Sequence, residues 1–348
     1  MLVTGDHPGT AEAVARSVGI IDGDGDGVVV GATLDALDDA ELEACVGSAS
    51  VFARVAPEHK VRLVAALQRR GEVVAMTGDG VNDVPALEAA HIGVAMGRRG
   101  TDAAKEAADI VLTDDDYSTI VAAIRRGRSI YDNVVRFVHF LLAANAGEVL
   151  VFTLAIAIGL PAPLTVVQIL LVNLLTDGPP AVAMGVDPPR PGIMRRPPRP
   201  SGETILGPIR RDLIIGGLAT GLVAFAAFLI GYAESEASAQ TMAFATLVAT
   251  QLAYLFAVRA DGWPPTAGRN VFLYLAVAGA AGVGFFLLAA AELREALELV
   301  ALSAGQIFTI GILAAIPYAT LVAIKARRAR RHVRGSRTHL SPYGGARE

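Results

Sequence analysis

Six apolar segments, each near the length of a membrane-crossing helix, govern what this chain can fold into. They run near 134–158, 162–184, 209–232, 240–258, 271–291 and 301–324, and a bilayer crossing needs about 20 residues. Several contain Gly or Pro, which membrane helices tolerate where neighbours satisfy the freed backbone groups. The chain is 53% hydrophobic with a mean hydropathy of +0.48. That is a mild excess over the roughly 45–50% of soluble domains, so its localisation carries the argument. Residues 1–130 are charged and polar in alternation, whereas most of 134–324 is apolar.

The connections between these segments carry a charge pattern. Arg190, Arg195, Arg196, Arg199, Arg210 and Arg211 cluster between the second and third segments. Arg259 and Arg269 flank the fourth connection, and Lys325, Arg327, Arg328, Arg330 and Arg331 follow the last segment. The connections "GLPAP", "AESEASA" and "ELREALE" hold one Arg among them. Basic residues thus recur on every second connection, as the positive-inside rule requires, and both chain ends are expected on the cytoplasmic side. The bias of 27 Arg against 3 Lys points to a GC-rich coding sequence and hence a bacterial plasma membrane. A net charge of −4 averages an acidic front against an arginine-rich tail and gives no reason to expect nucleic acid. The basic tail, 326–348, is expected to be disordered; the basic residues of 325–337 read first as a topology anchor and are also able to touch anionic lipid. Trp263 fits an interfacial anchor.

Within the second segment, "LLVNLLTDGPP" places Asn173, Thr176 and Asp177 at i, i+3 and i+4, on one helix face. The first segment offers Asn145 and Glu148 at i, i+3. An ionised carboxylate in mid-membrane is costly and marks an ion or proton path. Carboxylate, amide and hydroxyl oxygens without sulfur or imidazole suit a hard cation such as Ca²⁺; Mn²⁺ stays open, whereas Cu⁺ and Zn²⁺ favour thiolates. "GPP" at 178–180 interrupts the helix directly after Asp177.

The front of the chain repeats strand–loop–helix units, in "MLVTGDHPGTAEAVARSVGI", "SVFARVAPEHKVRLVAALQRRG" and "VVAMTGDGVNDVPALEAAHIGVAMG". Strands alternating with helices imply a parallel α/β sheet with its chemistry at the carboxyl ends of the strands. Asp79 and Asp83 share a loop where the pair suits Mg²⁺, Thr4 and the Gly5 backbone suit a phosphoryl group, and Lys60 would balance its charge.

Taken in order, "TGDHPGTA", "FARVAPEHK", "TGDGVNDVPAL", "IGVAMG", "GTDAAKEAADIVL", "NAGEVL" and "NLLTDGPPAVAMG" make the chain resemble, over about residues 1–325, the C-terminal part of a P-type cation-transporting ATPase of the sarcoplasmic-reticulum calcium-pump kind. The resemblance implies a partial haloacid-dehalogenase-like, Rossmann-type α/β phosphorylation domain at 1–130. An all-α membrane domain of six helices follows at 131–325. It implies Thr4, Gly5 and Asp6 as the phosphate-side motif, Lys60 as the phosphate-contacting lysine, and Asp79 as Mg²⁺ ligand on a loop completed by Asn82 and Asp83. Asn145, Glu148, Asn173, Thr176 and Asp177 fall on the family's intramembrane ion ligands. Gln251 stands where the sarcoplasmic pump carries a glutamate, which weakens one of two expected ion sites. Mg²⁺ and ATP are the implied cofactors and Ca²⁺ the implied cargo.

The family's nucleophilic aspartate lies in "DKTGT", a string this sequence does not contain; none of its Asp residues precedes a Lys. The nucleotide-binding insertion, the actuator domain and four further spans are likewise expected to come from an N-terminal portion, the implied partner along with membrane lipid and the cation. A membrane relic or regulatory subunit that binds cations or a partner pump without turnover is the alternative expectation. Asp22, Asp24, Asp26 and Gly27 resemble the start of a calcium-binding loop, but Thr33 holds the place of its closing Glu and no helix pattern flanks it, so a solvated loop is expected. His59 and His91 are expected at the surface or at helix ends. Cys45, the only cysteine, is expected to be inert.

Overall fold

The computed structural model describes residues 1–22, 27–200, 202–260 and 269–338, with side chains described to Arg330. Asp24, Asp26, Trp263 and the end of the basic tail therefore lie outside the described residues. Contacts divide the chain into two compact units, residues 1–124 with 198–202 and residues 125–197 with 203–348.

The first unit is α/β. Its strands are β1 (Leu2–Val3), β2 (Val28–Val30), β3 (Val51–Ala53), β4 (Ala75–Gly78), β5 (Ile92–Met96) and β6 (Ile110–Leu112), interleaved with helices α1 (Pro8–Ser17), α2 (Gly31–Ala36), α3 (Asp39–Ser48), α4 (Pro57–Arg69), α5 (Val84–Ala89) and α6 (Asp102–Ala107). All pairings are parallel, as alternating strands and helices require, but they form two three-stranded sheets, ordered β1-β3-β2 and β4-β5-β6. Strand β3 is central in its sheet, and Val51, Phe52 and Ala53 are fully buried. One expectation changes here. Val28–Val30 forms a strand and α2 follows at once, so the Asp-rich loop does have a helix beside it. His59 takes the helix-end place of its two expected alternatives and is buried there: as third residue of α4 its Nδ1 accepts the Ala56 N–H at 3.2 Å, and its Nε2 lies 2.6 Å from Asp35 Oδ1. His91 is exposed, and its Nδ1 accepts the Val74 N–H at 3.1 Å. Burial pushes the Cys45 thiol upward, which leaves less thiolate and fits an inert cysteine.

The second unit is helical: α7 (Tyr117–Ala157, its first turns in the first unit), α8 (Val166–Thr176), α9 (Pro179–Met184), α10 (Arg210–Tyr232), α11 (Glu236–Arg259), α12 (Val271–Ala289), α13 (Ala291–Ala296) and α14 (Ala304–Thr338). Among the described residues, six spans are long and apolar enough to cross a membrane, with α8 and α9 together making the second. At 41 residues α7 extends about 60 Å, twice the hydrocarbon thickness of roughly 30 Å. Its first turns are therefore a polar extension that apolarity alone did not mark. Helix α11 is the hub: 83% of its apolar window is buried, against 17–44% for the other spans. Glycines bring α7 and α10 together, since a Cβ on Gly221 would lie 2.9 Å from the Gly147 carbonyl and 2.8 Å from Leu150 Cβ. Small residues allow such close approach of membrane helices, and this contact adjoins Glu148.

Candidate functional site

The helical unit brings its intramembrane polar residues together at a break in the second span. Helix α8 is opened by a Thr165–Gln168 capping box and ends at Thr176; Asp177 caps it, Gly178 turns the chain, and Pro179 starts α9. Proline supplies no N–H and suits the first turn of a helix, so the "GPP" sequence stops one helix and starts the next. Asp177 is thereby held at a helix end inside the bundle.

Two groups of side chains result. Glu148, on α7, is buried and accepts the Gln251 Nε2–H from α11 at 2.9 Å. With its amide nitrogen turned toward α7, Asn173 donates to the same carboxylate at 3.2 and 3.3 Å. Asp177 accepts from Asn145 Nδ2 at 3.4 Å and from Thr176 Oγ1 at 3.4 Å. The single Thr176 hydroxyl proton is shared with the Val172 carbonyl, the nearer acceptor at 2.9 Å, and Asn145 also donates to the Leu141 carbonyl at 2.8 Å. All six residues singled out in the sequence thus take part. Neither carboxylate has a cationic partner among the described residues. Gln251 Oε1 and the Thr246 and Thr250 hydroxyls, all on α11, are buried without a hydrogen-bond partner. Gln251 is fully packed, so its spare oxygen stays beside Glu148.

A charge cluster that sequence reasoning missed fixes the chain just beyond α9. Asp187 accepts from Arg259 Nε at 2.7 Å, Arg136 Nη1 at 3.2 Å and Asn270 Nδ2 at 2.6 Å. Asn133 donates to the Asp187 and Gly185 carbonyls at 2.9 and 3.1 Å. Arg259, read from sequence as a loop charge that sets topology, is buried in this cluster. Lys325 and Arg328 are likewise engaged: the ammonium donates to the Ala257, Val258 and Ala260 carbonyls at the end of α11, and the guanidinium holds Asp212 through two bonds of 2.8 and 2.7 Å. Only the helical pattern of apolar residues around these positions hinted that they face inward.

In the α/β unit the expected residues occupy the carboxyl ends of strands. Thr4 Oγ1 accepts the Asp6 N–H at 3.1 Å, and the loop is tied to the end of β3 through Val55 N–H to the Thr4 carbonyl and Arg54 N–H to the Asp6 carbonyl. Lys60, on α4, forms an ion pair with Asp83. The other Asp83 oxygen accepts the backbone N–H of Asp79 and Gly80 at 3.2 and 3.3 Å. Asp83 is therefore buried and committed to the loop, whereas the Asp79 and Asn82 side chains are exposed. No hydrogen bond among the described residues joins the Thr4–Asp6 loop to residues 79–83, and no three His, Cys, Asp or Glu side chains converge. One exposed carboxylate fits an Mg²⁺ that keeps several waters and shares a substrate phosphoryl group.

Comparison with known proteins matches residues 161–327 to the family described as cation transporting ATPase, C-terminus. Residues 1–91 and 60–124 match haloacid dehalogenase-like hydrolase families. The chain is 45% identical over 284 residues to a calcium-transporting ATPase of Bacillus subtilis (strain 168), covering 80% of this chain and 32% of that protein. It is 46% identical over 271 residues to "Probable cation-transporting ATPase F" of Mycobacterium tuberculosis (strain ATCC 25618 / H37Rv), covering 74% and 29%. With calcium-transporting ATPase 1 of Yarrowia lipolytica the identity is 47% over 209 residues, covering 60% and 22%. The chain spans about a third or less of the length of these relatives.

Proposed function

This chain belongs to the P-type cation-transporting ATPases, as a counterpart of their C-terminal portion, and we propose that it supplies the intramembrane cation site and part of the phosphate-handling headpiece of an ATP-driven pump. The observation that carries the reading is the environment of Glu148 and Asp177: two carboxylates inside a membrane bundle, surrounded by amides and hydroxyls, with no protein cation against them among the described residues. In this reading Glu148, Asp177, Asn145, Asn173, Thr176 and Gln251 donate oxygens to one desolvated cation. Asn173 has a simple route to that role, because half a turn of its amide replaces the N–H groups that face Glu148 by its carbonyl oxygen. Gln251 Oε1 is already an acceptor without a donor. The oxygen-only set selects a hard cation, and the relatives' names favour Ca²⁺.

In the headpiece the Thr4 hydroxyl, whose oxygen already accepts the Asp6 N–H, keeps its own proton for a phosphoryl oxygen. The Gly5 N–H lies on the same loop. Lys60, ion-paired with Asp83, adds positive potential, and Asp79 is the carboxylate available to Mg²⁺. That ion, when bound, would neutralise charge on the transferring phosphoryl group. The phosphorylated aspartate and the ATP site would come from the remainder of the pump, and the membrane would be a bacterial plasma membrane with both ends of this chain on its cytoplasmic face.

The test is calcium-dependent stabilisation of the detergent-purified chain. A ligand at about 100 times its dissociation constant adds about 2.7 kcal/mol to stability. Calcium should therefore raise the midpoint of unfolding, and Glu148→Gln or Asp177→Asn should remove the rise while leaving the calcium-free midpoint near that of the parent. An equal calcium response in both variants would take these residues out of the site.

A further inference from the structure

We propose that the cavity between α11, α12 and α14 binds one acyl chain of an anionic phospholipid, with the lipid phosphate on Arg294. The cavity has a volume of about 430 Å³ and is walled by Phe244, Val248 and Leu252 of α11, Gly284 and Leu288 of α12, and Ile310 of α14. Arg294, on the short helix α13, is the single polar residue of its lining. The size and character are those of a site for an apolar ligand with one orienting polar group.

Three observations identify the occupant. First, water gains nothing in such a space, because a buried water needs two to four polar partners, and leaving it empty forfeits contacts along every wall. Second, Phe285 and Ile307 on its rim are largely exposed in the apolar stretch of α12 and α14, so the neighbouring medium is lipid and the nearest filler is a hydrocarbon chain. Third, Arg294 is the one basic residue on the three connections that the charge pattern places away from the cytoplasm, where arginine is otherwise lacking. Its Nη1 donates to the Leu288 carbonyl at 3.0 Å, which fixes the guanidinium at the cavity. The remaining N–H groups stay available, and the planar fork matches a phosphate in both geometry and charge. Glu292, Glu295 and Glu298 on the same connection are exposed, and no ion pair among the described residues joins them to Arg294.

Binding of lipid can be read by native mass spectrometry of the detergent-purified chain, titrated separately with dioleoyl phosphatidylglycerol, dioleoyl phosphatidylcholine and oleic acid. Phosphatidylglycerol should be retained as a single adduct in preference to phosphatidylcholine. One arginine near the membrane surface gives about a fivefold preference for an anionic lipid, which Arg294→Gln should abolish. Ala281→Phe, at an exposed position of the cavity wall, should weaken retention of both phospholipids alike while the chain stays monodisperse and helical. The proposal is overturned by a preference that survives Arg294→Gln, by undiminished adducts in Ala281→Phe, or by oleic acid displacing phosphatidylglycerol at equal concentration. None of these outcomes bears on the cation site, since no cavity residue is among the proposed ligands.

Discussion

Replacing Asp187 by Asn should destabilise the helical unit more than any other single loss of a carboxylate. The Asp187 side chain is 2% accessible, and those of Arg136 and Arg259 are 5% and 3%. One buried carboxylate thus serves two buried guanidinium groups, with Asn270 adding a bond of 2.6 Å and the Tyr274 ring lying 5.9 Å from the Arg259 guanidinium. Asparagine preserves the shape and one acceptor oxygen but points N–H groups at guanidinium N–H groups. Removing one partner from such a buried pair costs about 3–5 kcal/mol, because the other charge stays desolvated. Asp132 is the internal control: it lies 3.0 Å from Arg196, but their side chains are 20% and 44% accessible, and a pair of that kind contributes roughly 0–1 kcal/mol. Reversible unfolding by sodium dodecyl sulfate, followed by circular dichroism, measures both variants. Adding Arg259→Met to Asp187→Asn should recover part of the loss, because it removes one of the charges left without its carboxylate. If Asp187→Asn costs no more than Asp132→Asn, the cluster is not what holds α7, α9, α11 and α12 in place.

Gln251→Glu should set two carboxylates against each other where a 2.9 Å amide–carboxylate bond now stands. The chain in chelator becomes less stable and its calcium affinity rises, which paired unfolding curves with calcium and with chelator will show; unchanged stability in chelator would contradict the geometry. Gly221→Val should separate α7 from α10, because even a Cβ falls 2.9 Å from the Gly147 carbonyl. Overpacking of this kind costs about 1–3 kcal/mol, and stability within about 0.5 kcal/mol of the parent would show that the helices part without penalty.

Hydropathy was enough to find the six spans, because a membrane imposes one length and one polarity on every crossing. It missed the first turns of α7, since Arg125, Arg126 and Arg128 break the apolar run without breaking the helix. Helical spacing put Asn173, Thr176 and Asp177 on one face, and "GPP" foretold the break, as both are local properties. What joins Glu148 to Gln251 is not local: 103 residues separate them, and periodicity on one helix says nothing about which neighbour faces it. Strand pairing has the same limit. Parallel strands follow from alternation with helices, but their grouping into two sheets depends on hydrogen-bond partners that no pattern encodes. Asp187 was the largest omission, because an acidic residue ahead of "PPR" reads as a surface turn until its three side-chain donors are seen.

The carboxylates of this protein sort themselves by what balances them. Asp187 meets two guanidinium groups, Asp212 meets Arg328 through two bonds, and Asp83 meets Lys60. Each of these charges is matched inside the protein, and its work is to fix the position of an element. Among the described residues, Glu148 and Asp177 receive only neutral donors, from Gln251, Asn173, Asn145 and Thr176. Neutral donors soften the cost of burying an anion but do not cancel its charge, and the shortfall grows as the surroundings become less polar. A site that exists only to hold helices together could have used the Arg–Asp solution found ten residues further along the same segment. On the function proposed above, amides and hydroxyls there leave the balancing charge to a cation from outside the chain, which is the physical requirement on a cation that must also leave.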